Sequence, residues 1–245
     1  MRGNVKVRPL ALDPDRLFPA DPTTRGIART LYAEIADLPI VSPHGHTDPA
    51  WFATDEAWGN ATELFLAPDH YVFRMLYSQG VDLDALRVPR LDGVPATDPR
   101  AAWRLFASNY HLFRGTPSRM WLDHVFAEVF GIDRLLDSAT ADHYYDTINA
   151  ALATPGYRPR ALFERFRIDF LATTEGADDP LEHHAAIRKS GWGGRVVTTY
   201  RPDSVIDVEH EASKGALEAF ANLTGEDVHS WQGYLAAHRK RRADF

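Results

Sequence analysis

The amino-acid sequence predicts an α/β protein of parallel strand–helix units, interrupted by a helical insertion and holding too few strands to close its sheet. Three short apolar or β-branched runs, at residues 39–44, 168–173 and 195–200, are typical of strands. Helical segments follow the second and third runs, and this alternation indicates parallel βαβ units. Between the first two strands, residues 98–153 are helical in pattern throughout. Three parallel strands cannot close on themselves, so the sheet is expected to keep two unpaired edges.

The composition is that of a globular protein and limits the chemistry available to it. The chain has 245 residues, of which 44% are hydrophobic and 25% are charged. Cysteine is absent, which excludes a disulfide scaffold, a thiolate metal site and a cysteine nucleophile. Any metal must therefore be held by His, Asp or Glu, a ligand set that suits zinc or manganese. The net charge of −7 argues against nucleic acid as a partner.

We expect no membrane partner and a cytoplasmic location. No stretch reaches the roughly 18 apolar residues that a membrane-spanning helix needs. The first sixteen residues, MRGNVKVRPLALDPDR, lack the apolar region of a signal peptide. The basic run His238–Arg242 is interpreted as the solvated end of a helix, where cations suit the helix dipole.

The N-terminal region, residues 1–97, is expected to hold an irregular arm, the first strand and several helices. After the arm, at residues 1–25, a helix over 26–38 carries an apolar stripe. A short helix is predicted at 61–66. Asp69 should cap a helix over residues 70–79 that ends at Gly80, and residues 82–97 should form a loop. The stripe consists of Ile27, Leu31 and Ile35.

The second predicted segment, residues 98–160, is the helical insertion. Two neighbouring apolar stripes predict a helix that is buried between other helices and ends at Gly131. One stripe is Trp121, Val125 and Val129, and the other is Leu122, Phe126 and Phe130.

The third predicted segment, residues 161–245, contains the second and third strand–helix units. Asp179 and Pro180 are expected to be the N-cap and first residue of a helix that ends at Gly191. Further helices are predicted at 211–223 and 228–242.

The sharpest chemical feature is the sequence His44-Gly45-His46 at the end of the first strand. Side chains two residues apart on a strand point to the same side, so two imidazoles at this spacing can converge on one metal ion. Surface or core histidines are the alternative interpretation. The histidines in the helical segments lack partners at ligand spacing and are interpreted as structural or surface residues: His111, His124, His143, His183, His184, His210 and His229.

Several motifs in one order resemble the N-terminal half of the uronate isomerase family of the amidohydrolase superfamily. Residues 38–49 (LPIVSPHGHTDP) resemble the family's opening strand and His-x-His, and residues 69–74 (DHYVFR) its Asp-His-Tyr-x-x-Arg signature. Further similar segments are Asn60–Leu64, Gly115–Pro117 with Trp121, Thr173-Thr174 with Asp178–Pro180, Tyr200–Asp203, and Arg241-Arg242 with Phe245. The resemblance implies a (β/α)8 TIM-type barrel that is incomplete here, with about three barrel strands and a helical insertion.

The resemblance also implies roles for six residues. His44 and His46 would be the metal ligands, for zinc or manganese, bound weakly if the chain is truncated. His70 and Tyr71 would be catalytic, and Arg74 and Arg201 would bind the substrate, with Arg201 holding its carboxylate. For Tyr71 and Arg74, the alternative interpretation is a pair on the helix surface, with the Tyr71 ring filling space in the core. The alternative for Arg201 is a loop arginine paired with Asp203.

The implied activity is the isomerisation of an aldose acid to a ketose acid, with a small hexuronate as substrate. The family's metal-binding Asp would lie beyond Phe245, so we expect this chain alone to isomerise poorly or not at all. It is expected to form a homo-oligomer or to be completed by a missing C-terminal half. A metal-dependent hydrolase of the same superfamily and a non-catalytic fragment or half of a split enzyme are the alternatives. The segment Thr173–Ala177 departs from the family pattern and is interpreted as a lengthened loop.

Overall fold

The structure, a computed structural model, describes residues 8–207, 209 and 213–245. Residues 1–7 of the predicted arm, His210 and the first two residues of the helix predicted at 211–223 lie outside this part of the chain. Within it, no helix is long and apolar enough to cross a membrane. The described residues form three β-strands and twelve α-helices, here numbered in chain order: α1 (Pro22–Ile35), β1 (Ile40–Ser42), α2 (Pro49–Thr54), α3 (Ala61–Phe65), α4 (His70–Tyr77), α5 (Pro99–Ser108), α6 (Pro117–His124), α7 (Ala141–Leu152), α8 (Pro159–Arg165), β2 (Ile168–Gly176), α9 (Glu182–Lys189), β3 (Val196–Arg201), α10 (Asp203–Ile206), α11 (Ser213–Thr224) and α12 (Trp231–Asp244).

The chain folds into two compact units. The helical unit comprises Met1–Asp37 and Ala57–Arg158, and the sheet unit comprises Leu38–Glu56 and Pro159–Phe245. The first strand therefore belongs to the sheet unit, although the helical unit separates it in sequence from the other strands. The division of the sequence at residues 97 and 160 stays a prediction.

The helical unit has an aromatic core that confirms the helical character of the predicted insertion. Trp103, Phe106 and Phe126 are fully buried, and the indole Nε1 of Trp103 donates to the carbonyl of Ala141 at 3.0 Å. Burial of each such side chain contributes about 1.5–3 kcal/mol to the hydrophobic stabilisation. The insertion is divided between α5, α6 and α7, with one π turn at Val125–Val129 that follows α6.

The two apolar stripes of this segment are buried to different degrees. Leu122 and Phe126 are fully buried, whereas Trp121 on the neighbouring stripe is 45% exposed. Gly131 has a φ of +67°, a left-handed conformation that favours glycine, and the helical run ends there as predicted.

The predicted first helix is present as α1, but it begins earlier and buries nothing. Asp21 caps it, since its carboxylate accepts from the amide of Thr24 at 2.8 Å. The stripe of Ile27, Leu31 and Ile35 is 59%, 65% and 57% exposed, respectively. The sequence pattern therefore predicted the helix correctly. Other described residues do not cover its apolar face.

The sheet unit is built on a parallel sheet, as the sequence predicted, and its strand order is β1-β2-β3. Its apolar layer is formed by residues of both strands and helices, namely Phe52, Phe163, Leu171, Ile187 and Val196. β2 continues to Gly176, three residues beyond the predicted end, with Gly176 paired in register with Arg201. The interpretation of Thr173–Ala177 as a lengthened loop is wrong for its first four residues, because pairing with β3 keeps them extended.

The predicted start of the helix after β2 is wrong. α9 begins at Glu182, and the residue before it, Leu181, has a φ of +57°. The Asp179 carboxylate accepts from the amide of Leu181 at 2.6 Å, so it stabilises a turn ahead of the helix rather than capping it. The helix ends before Gly191, which has a φ of +73°, as predicted.

The last helix, α12, begins at Trp231 rather than residue 228, because Ser230 is its N-cap and accepts from the amide of Gly233 at 3.1 Å. Its basic end is not wholly solvated, which corrects the expectation for residues 238–242. Arg241 is only 4% exposed, and its guanidinium donates to the carbonyls of Ala177 and Asp179 after β2.

Candidate functional site

The structure brings His44 and His46 together at the carboxyl end of β1. Their Nε2 atoms are 3.1 Å apart, and their ring planes are inclined at 76°. Two imidazole nitrogens bound to one zinc ion at about 2.0–2.1 Å in tetrahedral geometry are about 3.3 Å apart. The pair therefore fits two ligands of one divalent ion.

The donor set around this pair is incomplete within the described part of the chain. No group of three or more His, Asp or Glu side chains that could hold a metal is found among the described residues. Catalytic zinc sites usually have three protein ligands. The described residues thus offer two candidate ligands, and a tight site would need at least one more.

The segment that carries the two histidines is held from both sides. Thr174 on β2 donates its hydroxyl to the carbonyl of Gly45 at 3.3 Å. Asp48 caps α2 by accepting from the amide of Ala50 at 2.8 Å. A Cβ at position 45 would lie 3.4 Å from the carbonyl oxygen of Ala172, an ordinary contact, so the space around Gly45 also admits a small side chain.

Arg201 is the last residue of β3 and lies at the same edge of the sheet. Its Nε donates to the Asp203 carboxylate at 3.1 Å, as the loop-arginine alternative expected. Both side chains are largely exposed, at 46% and 68%, and such an ion pair stabilises by at most about 1 kcal/mol. Since the terminal nitrogens of Arg201 have no hydrogen-bond partner among the described residues, they can receive a carboxylate.

An open cleft of the sheet unit lies where the carboxyl ends of β1 and β2 meet. In parallel α/β folds, ligands bind at this end of the strands. The cleft contains three carboxylates and two imidazoles among its lining residues, which are His46, Thr47, Asp48, Pro49, Thr174, Glu175, Gly176, Asp179 and His183.

A buried polar cluster lies behind this cleft, and the sequence did not predict it. Thr173 donates its hydroxyl to Glu175 Oε2 at 2.8 Å, and His184 Nε2 is 2.9 Å from the same hydroxyl oxygen. Thr198 on β3 also donates to Glu175 Oε2. Burial lowers the pKa of His184 below its ordinary value, although the nearby Glu175 carboxylate acts in the opposite direction. The sequence signal for this cluster was the spacing of Thr173 and Glu175, which places both side chains on one side of a strand. The signal could be used only if the strand was predicted to extend to Gly176.

In the helical unit, α4 presents His70, Tyr71 and Arg74 to solvent. The helix buries Val72 and Leu76 instead. Tyr71 is 68% exposed, so its interpretation as a core filler is wrong. The rings of His70 and Tyr71 lie 4.2 Å apart between centroids.

The start of α4 is fixed by the predicted N-cap. The Asp69 carboxylate accepts from the amides of Tyr71 and Val72 at 2.8 and 3.3 Å. The helix ends at Tyr77, two residues before the predicted end, and Gly80 follows with a φ of +86°.

The glucuronate isomerase family matches residues 23–245 of the chain. The chain belongs to this family. The matched range includes all six candidate residues, since they lie between His44 and Arg201.

Individual members of the family show how much of the glucuronate isomerase sequence is present. A uronate isomerase of Xanthomonas axonopodis pv. citri is 68% identical over 246 residues, a match that covers 100% of this chain and 51% of the relative. One of Caulobacter vibrioides is 63% identical and covers 97% of this chain and 49% of the relative. The chain therefore spans about half the length of these curated relatives.

Solved glucuronate isomerase structures share the fold described above. The glucuronate isomerase of Caulobacter crescentus superimposes with a TM-score of 0.95 at 63% identity, covering 97% of this chain and 50% of the other. The uronate isomerase of Thermotoga maritima gives a TM-score of 0.84 at 26% identity, with coverage of 96% and 49%. The three-stranded parallel sheet and its helices are thus part of an α/β barrel-type fold.

Proposed function

We propose that the chain is the N-terminal part of a uronate isomerase, which converts D-glucuronate to D-fructuronate or D-galacturonate to D-tagaturonate. The observation that carries the proposal is the convergence of His44 and His46, with Nε2 atoms 3.1 Å apart, at the carboxyl end of β1. Barrel enzymes build their active sites at this end of the strands. The remaining strands of a (β/α)8 barrel would come from sequence that corresponds to the second half of the relatives.

His44 and His46 would hold the divalent ion, zinc or manganese. Once bound, such an ion polarises a sugar carbonyl and orients the sugar oxygens. The two Nε2 atoms face each other at a spacing that suits two ligand atoms of one ion. With only two ligands in the described residues, the ion is expected to bind weakly until a third is supplied.

Arg201 would hold the substrate carboxylate. A guanidinium presents parallel N–H groups that match the two oxygens of a carboxylate. Asp203 accepts from Nε and orients the group, which leaves the terminal nitrogens for the substrate. A lysine could supply the charge at this position but not the paired geometry.

On α4, His70 and Tyr71 would take part in proton transfer, and Arg74 would bind the sugar acid. Tyr71 and Arg74 are three residues apart on one exposed helix face, so both can address one ligand. The Tyr71 hydroxyl can donate to an oxyanion that develops as the carbonyl moves from C1 to C2. The base that removes the C2 proton would come from the half of the relatives that this chain does not match.

A hydrolase of the same superfamily is the weaker candidate, because the family match and the relatives above are isomerases. The decisive test measures ketouronate formation by NMR with glucuronate and zinc or manganese. The 245-residue chain alone is expected to give no product. The chain mixed with the second half of the Xanthomonas axonopodis relative is expected to give product.

His44→Ala should abolish product formation by the mixture, whereas His229→Ala, at an exposed position before α12, should not. Product from the chain alone would show that the site is complete without a second half. A folded, soluble mixture that forms no ketouronate would refute the proposed reaction.

A further inference from the structure

Four polar side chains from three elements meet behind the carboxyl ends of β2 and β3. We call this cluster the Glu175 bracket, and it consists of Thr173, Glu175, Thr198 and His184. Thr173, Glu175 and His184 are 0%, 7% and 1% exposed, so the cluster is almost completely shielded from water. A carboxylate in such a place is costly unless hydrogen bonds replace its hydration.

The hydrogen bonds converge on one oxygen of the carboxylate. Glu175 Oε2 accepts from Thr173, on its own strand, at 2.8 Å, and from Thr198 on the neighbouring strand. When the Thr173 hydroxyl donates to Glu175, rather than to the carbonyl of Val197 at 3.1 Å, its oxygen can accept from Nε2 of His184 at 2.9 Å. A single carboxylate thus links β2, β3 and α9.

His184 depends on this arrangement for its orientation. Its second ring nitrogen, Nδ1, is buried and has no hydrogen-bond partner among the described residues. The imidazole is therefore held through Nε2 alone, and the Nε2–H tautomer leaves the unpartnered Nδ1 as a lone-pair acceptor. Without the Thr173 hydroxyl, both ring nitrogens would be buried without partners.

The opposite side of the same strand ends carries the candidate site. Side chains alternate along a strand, so Thr174 points away from the bracket that its two neighbours form. Thr174 donates to the carbonyl of Gly45, between the two histidines. Gly176 is paired in register with Arg201. A shift of the strand ends would therefore move both the histidine segment and Arg201.

We propose that Glu175 is a positioning residue, whose carboxylate fixes the ends of β2 and β3 and thereby the places of the His44-Gly45-His46 segment and Arg201. The role requires an acceptor oxygen for two hydroxyls rather than a negative charge. Glutamine has such an oxygen, whereas alanine removes the one atom on which the hydroxyls of Thr173 and Thr198 converge. The consequence for catalysis rests on the proposed function, but the placement of the residues can be measured without substrate.

The test uses NMR on the 245-residue chain without metal or sugar. It measures amide hydrogen exchange at Thr174, Gly176 and Arg201 and the imidazole signals of His44 and His46. Glu175→Ala should accelerate exchange at these amides by about tenfold or more and shift the imidazole signals. Glu175→Gln should stay within about twofold of the parent chain and retain its imidazole signals.

Two threonine variants keep the test decisive if Glu175→Ala does not fold. Thr198→Val removes one hydroxyl of the bracket at almost constant volume and should reproduce the exchange and shift changes in weaker form. Thr224→Val is the matched control, because Thr224 is also buried in the sheet unit but bonds to Phe220 within α11. It should leave the His44, His46 and Arg201 signals unchanged even if it lowers stability.

Two results would overturn the positioning role. The first is an effect of Glu175→Gln as large as that of Glu175→Ala, which would show that the charge is what matters. The second is a folded Glu175→Ala or Thr198→Val chain with unchanged signals at the histidines and Arg201. Since no readout involves turnover, an inactive reconstituted enzyme would count against the proposed function and not against this inference.

Discussion

His184 illustrates how burial of one titratable side chain links stability to pH. It is 1% exposed, and burial disfavours the imidazolium, which lowers the pKa of His184 below its ordinary value of 6.5. In the unfolded chain the imidazole takes up a proton near its ordinary pKa, while the folded chain does not. The unfolded state therefore binds more protons as the pH falls below about 6.5, and the free energy of unfolding decreases there.

We predict that His184→Gln flattens the pH dependence of stability below pH 6.5. Glutamine can still donate to Thr173 but has no proton to take up, so up to about 1.4 kcal/mol per pH unit of dependence is lost. Urea unfolding between pH 4.5 and 8 measures the effect. His183→Gln is the control, since this neighbour on α9 keeps 43% of its side-chain surface accessible. His238, whose pKa burial also lowers, remains in both variants and contributes a residual slope.

At the same scale, the sequence predicted the convergence of His44 and His46, although the predicted reason was wrong. β1 ends at Ser42, so the two histidines converge from the segment after the strand and not through strand alternation. The sequence could not predict the Glu175 bracket. That cluster depends on the length of β2 and on where α9 places His184, and both are consequences of tertiary packing.

Among the elements, α4 shows how a single cap orders a functional helix. Its exposed face carries His70, Tyr71 and Arg74. The buried Val72 and Leu76 attach it to the core, together with two partly buried residues, Phe73 and Met75. A helix of eight residues has little stability of its own, so its first turn relies on the Asp69 carboxylate.

We predict that Asp69→Ala destabilises the first turn of α4 by about 1 kcal/mol. Amide exchange at Tyr71 should accelerate severalfold, because this amide loses its acceptor. Val72 should change less, because its amide also donates to the backbone carbonyl of Asp69 at 3.0 Å. Asp69→Asn retains a side-chain oxygen at the cap and should exchange at nearly the parent rate. Equal exchange in the alanine and asparagine variants would show that the cap does not hold this turn.

The two apolar stripes around α6 allow a second prediction about elements. Leu122→Ala should lower the free energy of unfolding by about 2–5 kcal/mol, since it opens a cavity in the aromatic core. Trp121→Ala removes a larger side chain but one that is 45% exposed, and it should cost markedly less. Urea unfolding of both variants ranks them, and a larger loss for Trp121→Ala would contradict the assignment of the core-facing stripe.

The elements that the sequence predicted well are those with local determinants. The cap at Asp69, the glycine at 131 and the three apolar strand runs need only neighbouring residues. The wrong cap at Asp179 has the same residue types as a true cap, but Leu181 adopts a left-handed conformation and delays the helix. Both stripes around α6 are apolar, so periodicity alone could not show which of the two stripes is more deeply buried.

For the whole molecule, the unpaired edge of β1 is the feature with the widest consequences. β1 pairs with β2 on one side, and no described strand pairs with its other side. Ile40 and Val41 are 49% and 61% exposed there, and the relatives are about twice as long as this chain. An apolar strand edge of this kind is a template for pairing with another chain.

We predict that the 245-residue chain self-associates through this edge and that Val41→Lys reduces the association, because a charged side chain cannot be buried in a strand-to-strand contact without cost. Light scattering coupled to size exclusion, over a concentration series, measures the mass. Leu91→Lys is the matched control, since Leu91 is fully exposed in a loop outside the sheet. If the edge is also where the second half of the enzyme docks, Val41→Lys should in addition weaken reconstitution with the second half of the Xanthomonas relative. Loss of self-association in the Leu91 variant, or its persistence in the Val41 variant, would place the contact elsewhere on the chain.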